Sequence, residues 1–222
     1  MRTTPDNLRA ATAAMETLIN YKICSCPVDP FSILKRLDNV HLRSFKEMSD
    51  TFGVERDALI SMFGTSNQDA ATTVILDDGH PFYVVTYNMQ LSTALIQRAL
   101  ARELGHIILG HDGSLPDQIR TSEARYFAHH LLCPRPLIKA VQDSGISFTV
   151  ELLGNLTGCY EHCLSCMRQH PGVHVPPELN RQVRDQFSDY IRNFLNFELI
   201  LSAEDFSRLA DFGSYMDGYT EE

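Results

Sequence analysis

The chain has 222 residues, a formal net charge of −9, 44% hydrophobic residues and 21% charged residues. These values are typical of an ordinary globular protein that can bury a sizeable core. The negative net charge argues against nonspecific nucleic-acid binding and favours a basic protein partner. No apolar run approaches the ~20 residues that a membrane-spanning helix needs.

The first part of the chain predicts two helices and a strand. Thr4 is predicted to cap the first helix with Pro5 at its first position, and an apolar stripe follows from Leu8 to Ile19. A short helix is predicted over about 31–37, and a strand over about 39–45.

The middle of the chain predicts a hairpin followed by a pair of longer helices. Thr72–Leu76 and Phe82–Tyr87 are rich in β-branched and aromatic residues, which is typical of paired strands. The number of residues between them suggests a turn longer than the two-residue kind. Helices are predicted over about 92–110 and 117–132, and shorter helices over about 136–169.

The clearest boundary in the sequence lies near Pro171-Gly172 and Pro176-Pro177. We therefore predict a domain over residues 1–172 and an acidic helical extension over 173–222. From residue 177 onward there are ten Asp or Glu and four Arg. The apolar stripe from Val183 to Leu195 favours packing of this extension back on the core, and a further helix is predicted to begin at Ser202.

A motif with metal-site spacing lies on the first of the two longer helices. In the pattern H-E-x-x-H, two histidines four residues apart share a helical face and bind Zn²⁺, while the glutamate activates water. Here Glu103 and His106 hold their positions, but Arg102 stands where the first histidine belongs. Glu123, on the next helix and followed by the small residue Ala124, is the candidate for a third ligand.

The chain resembles the ImmA/IrrE family of metallo-endopeptidases over roughly residues 27–170. The residues that carry the resemblance are Tyr87-Asn88, the helix from Arg98 to His111, and the segment Glu123-Ala124-Arg125-Tyr126-Phe127-Ala128 with Leu131-Leu132-Cys133-Pro134. Pro27-Val28-Asp29 is similar to the segment with which the family domain begins.

The resemblance implies an α+β, gluzincin-like fold, in which a small antiparallel sheet packs on the two metal-site helices and further helices follow. It implies a zinc-dependent hydrolase with His106 and Glu123 as metal ligands and Glu103 as the general base. Tyr87 and Asn88 would line a substrate groove. The implied substrate is a helix-turn-helix repressor of a mobile element or a stress response.

The chain departs from the family pattern at Arg125, which replaces an asparagine, and at Arg102. A guanidinium has no lone pair to donate to a metal. His111 lies about 140° around an ideal helix from His106, so it could replace the missing ligand only if the helix were locally distorted. The use of His130 as a substitute ligand would also require a local distortion. A second hypothesis is that Arg102 pairs with Glu103 and Glu123, which would give an inactive pseudo-peptidase that binds a protein partner.

A cysteine cluster offers a third hypothesis. Cys159, Cys163 and Cys166 could pack in the core, or bind a structural zinc together with His162, His170 or His174. The spacing also matches an iron–sulfur motif, but too little chain follows for the barrel such a cluster needs. With no export signal visible, we expect reduced thiols and a cytoplasmic protein.

Overall fold

We analysed a computed structural model, which describes residues 3–55, 57–58, 69–146, 149–158 and 173–197. Its elements in chain order are α1 (Asn7–Asn20), α2 (Pro30–Leu34), β1 (Val40–Ser44), α3 (Phe45–Phe52), β2 (Ala70–Asp77), β3 (His80–Tyr87), α4 (Thr93–Ile108), α5 (Asp117–Leu132), α6 (Arg135–Asp143), α7 (Val150–Thr157) and α8 (Pro177–Gln186).

The strands form a three-stranded sheet in the order β1-β3-β2. The predicted α+β class is confirmed, but the sheet is mixed, because β1 pairs parallel to β3 while β2 and β3 are antiparallel. The prediction of a long hairpin turn is wrong. Asp77 pairs with His80, and the two residues between them, Asp78 and Gly79, have φ values of 47° and 80°, as a tight hairpin turn requires.

Local hydrogen bonds explain two helix starts that the sequence analysis did not predict. Asp6, rather than Thr4, caps α1, because its carboxylate accepts a hydrogen bond from the backbone N–H of Arg9 at 2.9 Å. At α3, Ser44 and Glu47 form a reciprocal capping box. The helix therefore begins immediately after β1.

The core lies between the sheet and a stack of helices. Helix α4 packs against β2 and β3, α5 packs against α4, and α1 packs against α5. Large apolar side chains at the centre are fully buried, among them Met15, Leu104, Phe127 and Leu131. This stack positions α4 and α5 side by side, with α1 across them.

The chain after residue 173 returns to this core. Helix α8 packs against α1 and α6, and the predicted apolar stripe is buried at Val183, Phe187 and Ile191. The side-chain amide of Gln186 donates to the carbonyl of Leu18 at 2.8 Å. The helix predicted from Ser202 lies outside the described residues. No helix in the described part of the chain combines the length and hydropathy needed to cross a membrane.

Candidate active site

Helix α4 ends in a turn that reverses the direction of the chain. Gly110 has a φ of 60°, the N–H of His111 donates to the carbonyl of His106 at 3.0 Å, and the N–H of Gly110 donates to that of Ile107 at 3.0 Å. This is a Schellman motif, in which a left-handed glycine closes the last turn of a helix. His111 is therefore not on a continuing helix, and the turn carries its ring back to His106.

Helices α4 and α5 approach closely at Gly105. A Cβ atom on this glycine would lie 3.0 Å from Cδ1 of Phe127 and 3.1 Å from the carbonyl oxygen of Ala124. Both contacts are tighter than ordinary van der Waals separations, so a larger residue would separate the helices. The glycine before His106 and the alanine after Glu123 thus bring those two side chains to the same interface.

A chain of hydrogen bonds connects the two predicted metal ligands, His106 and Glu123, through His111. Nδ1 of His111 lies 3.0 Å from Nδ1 of His106, and Nε2 of His111 lies 3.1 Å from Oε2 of Glu123. The Glu123 side chain has no solvent exposure. The structure therefore brings His106 and Glu123 to one cluster, and it inserts between them a histidine that helical geometry alone would exclude.

The direction of these hydrogen bonds follows from the protonation states. Burial lowers the pKa of His106 to about 3, and the charges of His111 and Arg102 act in the same direction. Burial also lowers the pKa of His111, although its hydrogen bond to Glu123 opposes this. Both rings are neutral at pH 7, so Nε2–H of His111 donates to the carboxylate and Nδ1–H of His106 donates to His111. His106 keeps a lone pair on Nε2.

The buried carboxylate of Glu123 is also bound by helix α1. Its Oε1 accepts from the backbone N–H of Asp6 at 2.7 Å, and its Oε2 lies 3.8 Å from Nη1 of Arg9. Arg9 also donates to the carbonyl of Leu109, at the end of α4. The sequence carries no local signal for the contact of Arg9 with Glu123, because it depends on the packing of α1 on α5.

Glu103 lies at the sheet side of the cluster and is paired with Arg102. Nε of Arg102 donates to Oε1 of Glu103 at 3.3 Å, and Oγ1 of Thr72 on β2 donates to Oε2 at 2.8 Å. Glu103 is 5% exposed. The pKa of its carboxyl group is raised overall, because burial outweighs the lowering by Arg102 and Thr72. The hypothesis that Arg102 supplies the counter-charge of Glu103 agrees with this contact.

The residues present do not fit the zinc centre that the resemblance implies. Such a centre needs three protein ligands whose lone pairs converge. His106 offers one through Nε2, Arg102 offers none, and His111 uses both ring nitrogens in the hydrogen-bond chain. Within the described residues, no group of three or more His, Cys, Asp or Glu side chains is arranged to hold a metal ion.

The two predicted groove residues lie where β3 runs into α4. The ring of Tyr87 packs edge-on against Phe31, with 6.1 Å between ring centroids. Asn88 is 7% exposed, and its Oδ1 accepts from the N–H of Gln90 at 3.1 Å. In these contacts Tyr87 packs and Asn88 stabilises a turn.

The other candidates lie away from the cluster or outside the described residues. His130 stacks on Tyr126, with ring centroids 4.6 Å apart, and its Nδ1 lies 3.0 Å from the Tyr126 carbonyl oxygen. Arg125, at the position of the family asparagine, is exposed. Cys159, Cys163 and Cys166, with His162 and His170, lie outside the described residues.

Comparison with known proteins identifies the segment that contains this cluster. Residues 60–156 match the family model Peptidase_M78, described as the IrrE N-terminal-like domain. No curated protein matches the chain. The family is typically one of zinc metallopeptidases and points to a metallopeptidase-like function. Residues 60–156, which include both helices of the cluster, are therefore similar to the ImmA/IrrE family, and this match supports the resemblance seen in the sequence.

Proposed function

We propose that this protein is a pseudo-peptidase, which binds the kind of protein that its family cleaves and acts as a regulator without cutting it. The observation that carries the proposal is the ion pair between Arg102 and Glu103. A fixed positive charge occupies the place of a metal ligand, and the same charge pairs with the residue that would act as general base.

The second buried carboxylate supports the same function. Glu123 has Arg9, the N–H of Asp6 and His111 as partners. These contacts give both oxygens of the buried carboxyl group a partner without a metal ion.

The proposed partner is a helix-turn-helix repressor, as the family resemblance implies. Such DNA-binding proteins present basic surfaces, and the net charge of −9 favours association with them. In the sheet order β1-β3-β2, β2 is an edge strand, and its residue Thr72 donates a hydrogen bond to Glu103. An extended segment of a partner could add to such a strand through backbone hydrogen bonds.

Zinc-dependent cleavage of the repressor is the second candidate function. It is favoured by His106, whose Nε2 keeps a lone pair, and by Glu103 at the general-base position of the motif. It would require Arg102 to leave the cluster and another ligand to replace it. The two candidates make opposite predictions about cleavage.

The test uses this protein and a repressor encoded by a neighbouring gene, both purified. Binding is measured by calorimetry, cleavage by mass spectrometry with and without added Zn²⁺, and metal content by elemental analysis. We expect a stable complex and an intact repressor under both conditions. The matched control is Glu103→Gln, which should leave the repressor equally intact.

Two results would contradict the proposal. Zinc-dependent cleavage that Glu103→Gln abolishes would establish the enzyme. Absence of any complex would remove the binding function.

A further inference from the structure

A cavity of about 770 Å³ lies away from the Glu123 cluster, at the opposite end of α5. It is open to solvent on one side and is lined by the last turn of α5, by α6, by α8 and by Met15 of α1. Its volume is within the range of sites that bind small organic molecules. No role in the proposed function uses it.

The cavity walls are mainly apolar. They include the side chains of Met15, Pro136, Ile138, Val175 and Pro177. Such walls can bury the hydrocarbon part of a ligand, and this burial is favourable in proportion to its apolar area.

The charged side chains that line the cavity are all cationic within the described part of the chain. They are Arg135, Lys139, Arg181 and Arg184. This composition is unusual in a chain whose net charge is −9. Cationic groups at the edge of an apolar cavity select an anion with an apolar body.

Ion pairs partly neutralise these cations, because Arg181 pairs with Glu178, while Lys139 and Arg184 share Asp143. Lys139 lies 3.2 Å from one oxygen of Asp143, and Arg184 lies 3.8 Å from the other. A single carboxylate therefore serves both cations, and together the three groups carry one net positive charge. A ligand carboxylate or phosphate at this position would supply the second negative charge.

We propose that this cavity is a binding site for a small amphiphilic anion, with its apolar body between α5, α6 and α8 and its acidic head at Lys139 and Arg184. The head group is a carboxylate or a phosphate monoester. A fatty acid and a lipid-derived phosphate share this chemistry, and a membrane surface is a separate source of the same charge.

The test measures binding to the full-length protein by calorimetry, with decanoate and decyl phosphate as probes. Decyltrimethylammonium is the probe of opposite charge, and vesicles of phosphatidylglycerol test the membrane source. We expect saturable one-to-one binding of at least one anionic probe, and none of the cationic probe.

The variants Lys139→Met and Arg184→Met should each weaken anion binding about tenfold or more, as expected for a lost charge-assisted contact. The matched control is Arg192→Met, which removes an exposed cation whose ion pair is with Asp189, away from the cavity. All three positions are on the surface, so the variants should keep the parent circular dichroism spectrum.

Four results would overturn the proposal. The first is that neither anionic probe binds at concentrations up to about 1 mM. The second is that the cationic probe binds equally well, and the third is that the Lys139 and Arg184 variants bind the anion with the affinity of the parent. The fourth is binding to vesicles alone, with neither free anion bound.

Discussion

Changes at two positions, Arg102 and Arg9, should each raise the affinity of the cluster for zinc. A guanidinium about 4 Å from Zn²⁺ would repel it by about 8 kcal/mol at an effective dielectric constant of about 20. Arg102→His removes this repulsion and adds a nitrogen ligand. We therefore expect the variant to bind zinc where the parent binds little.

Arg9 should limit the affinity that the first change recovers. Its Nη1 lies 3.8 Å from Oε2 of Glu123, which corresponds to an attraction of about 4 kcal/mol at the same dielectric constant. The Arg9 side chain is 44% exposed, so solvent screening reduces its net contribution to about 1 kcal/mol. Adding Arg9→Gln to Arg102→His should therefore raise zinc affinity a further fivefold or so.

Zinc affinity is measured by competition with a chromophoric chelator, and bound metal by elemental analysis after dialysis. Arg102→Met is the matched control, because it removes the charge without adding a ligand, and it should remain nearly zinc-free. Glu123→Gln in the double variant should remove the recovered zinc. If Arg102→His binds no more zinc than the parent, the assignment of residue 102 to a metal-ligand position of the family motif is wrong.

The remaining predictions concern helix packing, the turn after α4 and the start of α3. Gly105→Ala should lower the free energy of unfolding by about 1–3 kcal/mol in urea, because the new methyl group would lie 3.0 Å from α5 and this outweighs the gain in helix propensity. Gly113→Ala, where a Cβ meets nothing within 4 Å, is its control, and an equal effect of both would contradict the close approach. Gly110→Ala should lower the free energy of unfolding by about 1–2 kcal/mol, because φ at this residue is 60°. It should also shift the imidazole nitrogen resonances of His106 and His111, and unchanged resonances would contradict the role of this turn in bringing the two rings together. Hydrogen bonds from the backbone and side chain of Ser44 lower the pKa of Glu47 below its ordinary 4.5, so its ionised form stabilises the fold above that pH and the contribution is lost as the pH falls through the lowered pKa. Glu47→Gln should remove this part of the acid dependence, and parallel pH–stability curves for parent and variant would exclude it.

The sequence predicts the two central helices well because their signals are local. The segment 117–132 matches α5, and α4 ends two residues before the predicted limit. Their apolar spacing and flanking residues define them without reference to the rest of the chain. The hairpin strands are predicted for the same reason, but the sequence predicts a longer loop than the two-residue turn at Asp78-Gly79.

The composition of the cluster depends on contacts that the sequence does not encode locally. On an ideal continuing helix His111 lies far around from His106, so their contact requires a local distortion, and Gly110 supplies it by ending the helix and redirecting the chain. Gly110 was already a predicted stop signal, so this contact could have been inferred. The contact of Arg9 with Glu123 could not be inferred from the sequence, because only the packing of α1 across α5 brings the two residues together. The parallel pairing of β1 also depends on long-range topology.

The close approach at Gly105 has a consequence for how such a motif persists. This glycine is constrained sterically by Phe127 and Ala124, and those contacts involve none of the side chains of the cluster. The steric part of the motif is therefore required for the packing of α4 on α5 whether or not the neighbouring side chains bind a metal. Family membership inferred from such a motif therefore reports shared architecture, and competence has to be judged from the donor atoms alone.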